Sequence, residues 1–251
     1  MPLHTPSVRL VPTAVAVLGA ALLLAGCTFG EVVRTSVAAD ATVTEAVTAV
    51  RLTGVRSGSV EVTAGTGPGV AVRRTVHYRG ATAPEVGQRV TGGVLTFTSG
   101  CSRDCSVDYR LEVPASAAVT IEGSSGRVTV TGVAAADVES DSGDVRADAI
   151  TGPLKVRTSS GTITATGLAG PSAEVRSKSG EARLDFTRAP ASVSAESTSG
   201  DVTLKVPSGP YRVAVSTTSG DRDVTVPTDP AATSRLAAKT TSGDVRVGAL
   251  G

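Results

Sequence analysis

The chain has 251 residues, enough for one or two domains, and its charge is balanced, with 24 Lys and Arg against 23 Asp and Glu. A neutral chain has no general field that would attract nucleic acid, so we expect no nucleic-acid partner. Aromatic residues make up only 2% of the chain and Trp is absent, which argues against base stacking and aromatic sugar platforms. Frequent Gly, Val, Thr and Ser indicate an all-β protein with many turns.

Residues 1–26 are typical of an export signal. Arg9 precedes an apolar run over residues 10–24, which is shorter than the ~20 residues of a membrane span and suits a signal peptide. The run ends in Leu-Ala-Gly-Cys27, which resembles the lipobox of bacterial lipoproteins. That resemblance implies cleavage before Cys27 and lipidation of its thiol, with palmitate-like chains; two or more chains are needed for stable anchoring. The alternative is an ordinary signal peptide with a coincidental Cys.

The first part of the exported chain has irregular spacing. We expect residues 27–43 to be the lipidated Cys and a short tether, and residues 44–251 to form a single domain. Residues 44–123 predict strands and hairpins at the first end of a stack. Residues 90–94, Val-Thr-Gly-Gly-Val, predict a hairpin, because Gly-Gly supplies positive φ at both turn positions.

Two cysteines and one histidine are the reactive side chains of this region. Cys101 and Cys105 are candidates for a disulfide that closes a small loop at a hairpin tip, since an exported chain can keep such a bond. A metal site is not expected, because His77 is the only histidine after the signal peptide and few nitrogen or sulfur ligands remain.

Residues 124–251 contain a regular repeat. A Ser-Gly pair followed by a polar residue and a valine-rich alternation returns seven times, with gaps of 17, 18, 19, 20, 20 and 23 residues. Each copy has two alternating segments, which predicts two strands and two turns per coil of a β-solenoid. Arg56-Ser57-Gly58 looks like a degenerate copy. The corner glycines, where we expect positive φ, are Gly126, Gly143, Gly161, Gly180, Gly200, Gly220 and Gly243.

If successive copies stack in chain order, one row of residues points inward along the solenoid. Val224 fits that row only if Arg222-Asp223 is a local insertion. The Ser beside each corner Gly could bond the turn backbone. The predicted inward row consists of Val128, Val145, Ile163, Ala182, Val202, Val224 and Val245.

Together these segments resemble a known family. The lipobox, the run Cys-Ser-Val-Asp-Tyr-Arg-Leu-Glu-Val-Pro at 105–114 and the serial Ser-Gly-Asp-Val copies are similar to the bacterial putative adhesin family, a domain of unknown function. The resemblance covers about residues 44–249. It implies a β-solenoid at the cell surface with no established catalysis, and it supplies no catalytic or binding residues.

The acidic residues after the corner glycines are a candidate calcium ladder. Calcium β-rolls use a nine-residue period with paired glycines, which this chain lacks, and Arg127 and Thr162 interrupt the column. The alternative interpretation is a solvated turn position, so no metal or cofactor is predicted. The column consists of Asp144, Glu181, Asp201, Asp221 and Asp244.

Catalysis and binding are the remaining candidate functions. Some β-solenoids cleave polysaccharides with carboxylate pairs, but the turns here are short and no acid–base constellation is recognisable, so we do not expect an enzyme. A polar outer face could instead contact a glycan or a protein. Its candidate residues are Arg146, Arg157, Arg176, Arg183 and Glu174.

The sequence therefore predicts a non-catalytic adhesion, binding or structural module, anchored by lipid to the outer, extracytoplasmic face of the bacterial membrane. Its partner would be an envelope protein or a glycan. One alternative is an accessory or sensory component of an envelope-stress system that binds a membrane protein, and a remote one is a polysaccharide-active β-helix enzyme. Because the last copy opens a coil that the chain never completes after Val247, we expect an exposed edge there and end-to-end self-association.

Overall fold

The computed structural model describes residues 34–101 and 104–250. This part of the chain consists of strands and turns, and it contains no helix long and apolar enough to cross a membrane. The strands form two large sheets around one apolar core, which confirms the predicted all-β solenoid.

The strands are short, as expected where a turn interrupts the alternating pattern after each apolar run. They are β1 (Thr35–Ala38), β2 (Ala41–Val43), β3 (Ala49–Ser57), β4 (Val60–Gly65), β5 (Val70–Tyr78), β6 (Gly87–Thr91), β7 (Val94–Thr98), β8 (Cys105–Pro114), β9 (Ala118–Ser125), β10 (Val128–Thr131), β11 (Ala135–Ser142), β12 (Val145–Asp148), β13 (Leu154–Ser160), β14 (Ile163–Leu168), β15 (Ser172–Ser179), β16 (Ala182–Phe186), β17 (Ser192–Ser199), β18 (Val202–Val206), β19 (Arg212–Ser216), β20 (Arg222–Val224), β21 (Arg235–Lys239) and β22 (Val245–Ala249).

Sheet A has the order β1-β5-β8-β4-β10-β12-β14-β16-β18-β22-β20, with β2 also paired to β5. Sheet B has the order β19-β21-β17-β15-β13-β11-β9-β3-β7-β6. One coil is a strand of sheet B followed by the next strand in sheet A, and neighbouring coils pair in parallel about 4.8 Å apart. Among the strands of residues 34–101 and 104–250, antiparallel pairs occur only at the first end, where β1, β2 and β8 flank β5 and where β6 pairs β7.

The alternating pattern places one apolar row of each strand between the two sheets. Register pairs join Val128 to Val145, Val145 to Ile163, and so on through the stack. Burial of such side chains is the main favourable term, about 1.5–3 kcal/mol for each fully buried Val, Leu or Ile. The predicted inward row is confirmed at its buried members Val128, Val145, Ile163, Ala182, Val202 and Val245.

The stacking order departs from the chain order at both ends. The last strand pair, β21 and β22, lies between coil β17/β18 and coil β19/β20. At the other end, β3 and β4 lie between coil β7/β8 and coil β9/β10. Each terminal coil of the chain is therefore covered by the coil next to it in sequence, so the expectation of strict chain-order stacking is wrong.

The prediction for Val224 is also wrong, and Arg222 supplies the reason. Arg222 pairs in register with Val245 and Val224 with Val247, so Arg222 itself takes the inward row position without any insertion. Between two coils its charge would be buried without a partner, which is costly. At the end of the stack Arg222 stays exposed, and Val224 is 37% exposed. The strand that carries Val247 is instead paired on both sides, so the predicted self-association loses the edge on which it rested.

Two further expectations differ in detail. Residues 35–43, expected in the tether, include β1 and β2 on β5. The Cys101–Cys105 disulfide does not close a hairpin, because β7 belongs to sheet B and β8 to sheet A. The hairpin at 90–94 is confirmed, with Gly92 and Gly93 at positive φ between β6 and β7.

A second corner contains a position that the sequence did not reveal. Ala149 has a φ of 53°, next to Gly132 and Gly167 at 75° and 64° in the adjoining coils. The N–H of Gly132 donates to Asp148 and that of Ala149 to Thr166, so the three residues form one column. Ala149 therefore holds a left-handed conformation that suits Gly better.

We predict that Ala149→Gly raises the free energy of unfolding by about 0.5–1 kcal/mol, because relief of the left-handed strain exceeds the added entropy of the unfolded chain. Chemical denaturation measures the change. Ala147→Gly in the adjacent strand should lower stability by about 1 kcal/mol, since it removes a buried methyl group. Destabilisation by Ala149→Gly would contradict the assignment of strain.

We also predict that Arg222→Val makes the protein self-associate, because a buried-type residue would then continue the inward row at an open edge. Sedimentation velocity over a range of concentrations measures association. The control is Arg183→Val, which adds the same apolar side chain on the outer face of an interior strand. Equal association of both variants would show that surface hydrophobicity, and not the edge position, is responsible.

Candidate functional site

The repeated Ser-Gly corner is the first candidate site. Its seven glycines have φ between 130° and 149°, as the sequence predicted, and Gly58 continues the column with a φ of 126°. A Cβ atom on Gly180 would overlap the carbonyl oxygen of Gly161, and the same holds along the column. The corner is thus a line of direct backbone contacts, in which Gly180 N–H donates to the carbonyl of Ser199 at 2.8 Å.

The hydroxyls that support this corner are not those beside the glycines. The serines next to the corner glycines are exposed, whereas the Ser or Thr two residues earlier points inward. Thr240 Oγ1 donates to the Gly200 carbonyl at 2.9 Å, and Thr217 Oγ1 to the Gly243 carbonyl at 2.9 Å. The full pattern is therefore Ser/Thr-x-Ser-Gly. Its buried inward members are Ser140, Thr158, Ser177, Ser197 and Thr240.

The acidic column after the glycines has a structural role in the described residues. Asp144 Oδ1 accepts the N–H of Thr162 at 3.1 Å, and Asp201 Oδ1 accepts that of Asp244 at 2.8 Å. Asp244 Oδ1 in turn accepts the N–H of Asp221 at 2.9 Å. These three carboxylates accept from the same backbone position of the neighbouring coil. The described ranges contain no group of three or more His, Cys, Asp or Glu that could hold a metal ion.

Asp108 extends this column to the first end of the stack and contacts His77, the only histidine after residue 26. Its Oδ1 accepts the N–H of Ser59 at 2.6 Å and the Oγ–H of Ser59 at 2.9 Å. His77 Nε2 lies 3.0 Å from Oδ2. In a hydrolase relay the imidazole stands between hydroxyl and carboxylate. Here the carboxylate stands between the other two, so the imidazole is not placed to take the proton of the Ser59 hydroxyl.

The pKa of Asp108 is lowered below its ordinary value of 3.8. Burial raises the pKa, but the hydrogen bonds from the N–H and hydroxyl of Ser59, and the hydrogen bond and charge of His77, outweigh it. A carboxylate whose pKa is lowered by folding stabilises the protein at pH values above its ordinary pKa, and this stability is lost as the pH falls through the lowered pKa. Such a carboxylate is also a weak proton acceptor.

The cysteines fall into two groups. Cys101 and Cys105 form a disulfide. Cys27, the predicted lipidation site, lies outside the described residues.

The corner glycines of the other coils act through the same backbone contacts as Gly180.

The outer face of sheet B carries a concave surface, which we call the sheet B groove. It has a volume of about 510 Å³ and crosses strands β11, β13, β15, β17 and β21 near the Ser-Gly corner. Two rows of side chains line it along the stack. The first row is Glu139, Arg157, Arg176, Glu196 and Lys239. The second row is Asp141, Ser159, Lys178, Thr198 and Thr241.

Two arginines of the first row form a neutral network with Glu196 of the same row and with Glu174, which lies beside the groove. Glu174 Oε1 lies 2.9 Å from Nη2 of Arg157 and 3.4 Å from Nη1 of Arg176. Arg176 Nε lies 3.6 Å from Glu196 Oε2. Of the outer-face residues that the sequence singled out, these belong to sheet B, whereas Arg146 and Arg183 lie on sheet A. The structure thus divides the predicted face into two.

The sequence and fold were compared with known proteins. The sequence profile of the Toastrack DUF4097 family matches residues 92–248. No curated protein matches the sequence. A solved structure described as a putative adhesin from Bacteroides fragilis NCTC 9343 has a TM-score of 0.50 at 14% identity, covering 86% of this chain and 97% of that one. Another, from Parabacteroides distasonis ATCC 8503, has a TM-score of 0.44 at 15% identity, covering 88% and 98%. At these identities the likeness concerns the fold alone.

We predict that Gly180→Ala lowers the free energy of unfolding by about 2–4 kcal/mol, because it combines left-handed strain with overlap against the neighbouring coil. Urea denaturation measures the loss. Gly209→Ala is the matched control, since a Cβ there meets nothing within 4 Å, and it should change stability by less than about 0.5 kcal/mol. If both substitutions lowered the free energy of unfolding by a similar amount, the contacts at the glycine corner would not account for the effect of Gly180→Ala.

A second prediction concerns pH. Asp108→Asn should cost about 1 kcal/mol near neutral pH, because a half-exposed charged acceptor is lost. The difference from the parent should shrink as the pH falls below 3.8, since the parent then loses the same charge. Denaturation at both pH values tests this, with Glu181→Asn as an exposed corner control. A difference that grows on acidification would contradict the lowered pKa.

Proposed function

Because the chain belongs to the Toastrack DUF4097 family, we propose that it is a non-catalytic binding module of the adhesin type, anchored by lipid on Cys27 to the outer face of the cell membrane. The observation that carries the proposal is that the repeated corner and the outer faces of the fold have different roles. The repeated polar corner is engaged in holding coils together, while two long outer faces present Ser, Thr and charged side chains on a rigid stack.

Two features support a non-catalytic role. The Ser59, Asp108 and His77 cluster has the residue types of a hydrolase relay but the wrong order. Three of the corner carboxylates, those of Asp144, Asp201 and Asp244, already accept backbone N–H groups of neighbouring coils. The adhesin names of the structural relatives agree with a binding role.

The lipid anchor rests on the Leu-Ala-Gly-Cys27 signal. Only eight positions separate Cys27 from Thr35, the first residue of β1. Even fully extended, that segment spans at most about 28 Å. The first end of the stack would therefore stay near the membrane. The same short reach suits the second candidate, an accessory or sensory subunit that binds a membrane protein.

Fractionation and capture test the proposal. Cys27→Ala should remove the protein from the membrane fraction and abolish incorporation of labelled fatty acid, while the parent retains both. Cross-linking followed by affinity purification of the parent should then recover wall polymer or a foreign surface component. Recovery of one membrane protein as the main partner would favour the sensory role, and membrane retention of Cys27→Ala would refute the anchor.

A further inference from the structure

We propose that the sheet B groove binds a short, extended zwitterionic peptide, with an amino group over Glu139 and Asp141 and a carboxylate over Lys178 and Lys239. The inference rests on the proposed binding function and names its ligand class. The chemistry is that of the short stem peptides of a bacterial wall polymer, which carry amino and carboxyl groups on one extended chain.

The charges of the groove are separated along its length. Arg157 and Arg176 are neutralised by Glu174 and Glu196, at distances of 2.9–3.6 Å. Within residues 34–101 and 104–250, no ion pair shorter than 4.0 Å involves Glu139, Asp141, Lys178 or Lys239, whereas Asp137, the third acid of β11, pairs with Lys155 at 3.5 Å. The groove therefore has unpaired acids at one end, on β11, and unpaired lysines on its middle strand, β15, and at its far end, β21.

This arrangement disfavours ligands of a single charge sign. A polyanion would meet Glu139 and Asp141 at the β11 end, and a polycation would meet Lys178 on the middle strand and Lys239 at the far end. Like charges brought together in this way cost affinity. A ligand that carries one charge of each sign pairs with both ends and leaves the neutral network undisturbed.

The length of the groove agrees with a peptide. It crosses five neighbouring strands of sheet B, and four steps of about 4.8 Å make about 19 Å. An extended chain advances about 3.3–3.6 Å per residue, so five or six residues span the groove. Glu139 and Asp141 on β11 lie two strands away from Lys178 on β15 and four strands away from Lys239 on β21.

The polar lining suits peptide groups better than sugar rings. No aromatic side chain lines the groove, so it offers no stacking platform. The outer hydroxyls of Ser159, Thr198 and Thr241 can each donate and accept, and so can pair with both the N–H and the C=O of a peptide. Among the described residues, Ser177 Oγ on the inner side of the same corner is buried without a hydrogen-bond partner.

The test uses the full-length protein purified in detergent and a blocked pentapeptide, acetyl-Lys-Ser-Gly-Ser-Glu-amide, followed by calorimetry or NMR titration. We expect saturable, salt-sensitive binding that an uncharged peptide with Ser at both ends does not show. Lys178→Gln with Lys239→Gln should weaken binding about three- to tenfold. Lys205→Gln is the matched control on sheet A, and it should leave affinity unchanged.

A charge-reversal series makes the test specific. Glu139→Lys with Asp141→Lys should abolish binding of the zwitterionic peptide and create binding of its Glu/Glu analogue. Adding Lys178→Glu and Lys239→Glu restores a dipolar groove of opposite direction, and binding of the zwitterionic peptide should return. Far-ultraviolet circular dichroism and thermal unfolding verify that each variant is folded.

Two results would overturn the proposal: no saturable binding in the millimolar range, or equal binding by the parent and the groove variants. The envelope capture described above separates this outcome from failure of the proposed function. If the groove variants still bind isolated envelope, the proposed binding function is retained and its site lies outside the sheet B groove. If the parent binds the peptide but no envelope component, the groove assignment stands and the envelope role fails.

Discussion

The close approach of neighbouring coils at the glycine corner is the contact on which the rest of the structure depends. There the backbone of one coil lies directly against the carbonyl of the next, and no side chain fits between them. Every other regularity of the stack follows from this spacing. The N–H groups of the corner reach the next coil, the inward Ser and Thr hydroxyls reach corner carbonyls, and the apolar rows meet in register.

Much of this architecture could be predicted from the sequence, because its cause is local. Alternating apolar residues identify strands, and recurring Gly identifies a turn that needs positive φ. The inward row from Val128 to Val202 was accordingly correct. The order of coils at the ends could not be predicted in the same way. A repeat shows which strands are equivalent, but neighbours are chosen by what each strand can bury, and Arg222 was the signal that one strand must lie outermost.

The candidate site, like the fold, could be predicted from the sequence only in part. The sequence identified Arg157, Arg176 and Glu174 as outer-face residues, and the structure joins them in one network. It did not show that Arg146 and Arg183 belong to the other sheet, because face and sheet depend on which strand of each coil a residue occupies. The acceptor role of the corner aspartates was also hidden, since it involves backbone groups of the next coil, 18 to 43 residues away in sequence.

The motif that recurs most often is thus explained by scaffold chemistry, and under the proposed function recognition belongs to the less regular outer faces. This separation agrees with a family known by its fold and with relatives of low sequence identity that share it. A stack of equivalent coils can keep its corner constant while its faces vary, because the corner contacts do not involve the outward side chains of the strands.

The most direct test of this account is to measure stability and envelope binding together in a variant with Asp201→Ala and Asp244→Ala. We predict that the variant unfolds at lower denaturant concentration, because two acceptors for backbone N–H groups are lost, and that the folded protein binds envelope fractions as the parent does. Loss of envelope binding at unchanged stability would contradict the account, since it would make the repeated corner a recognition site.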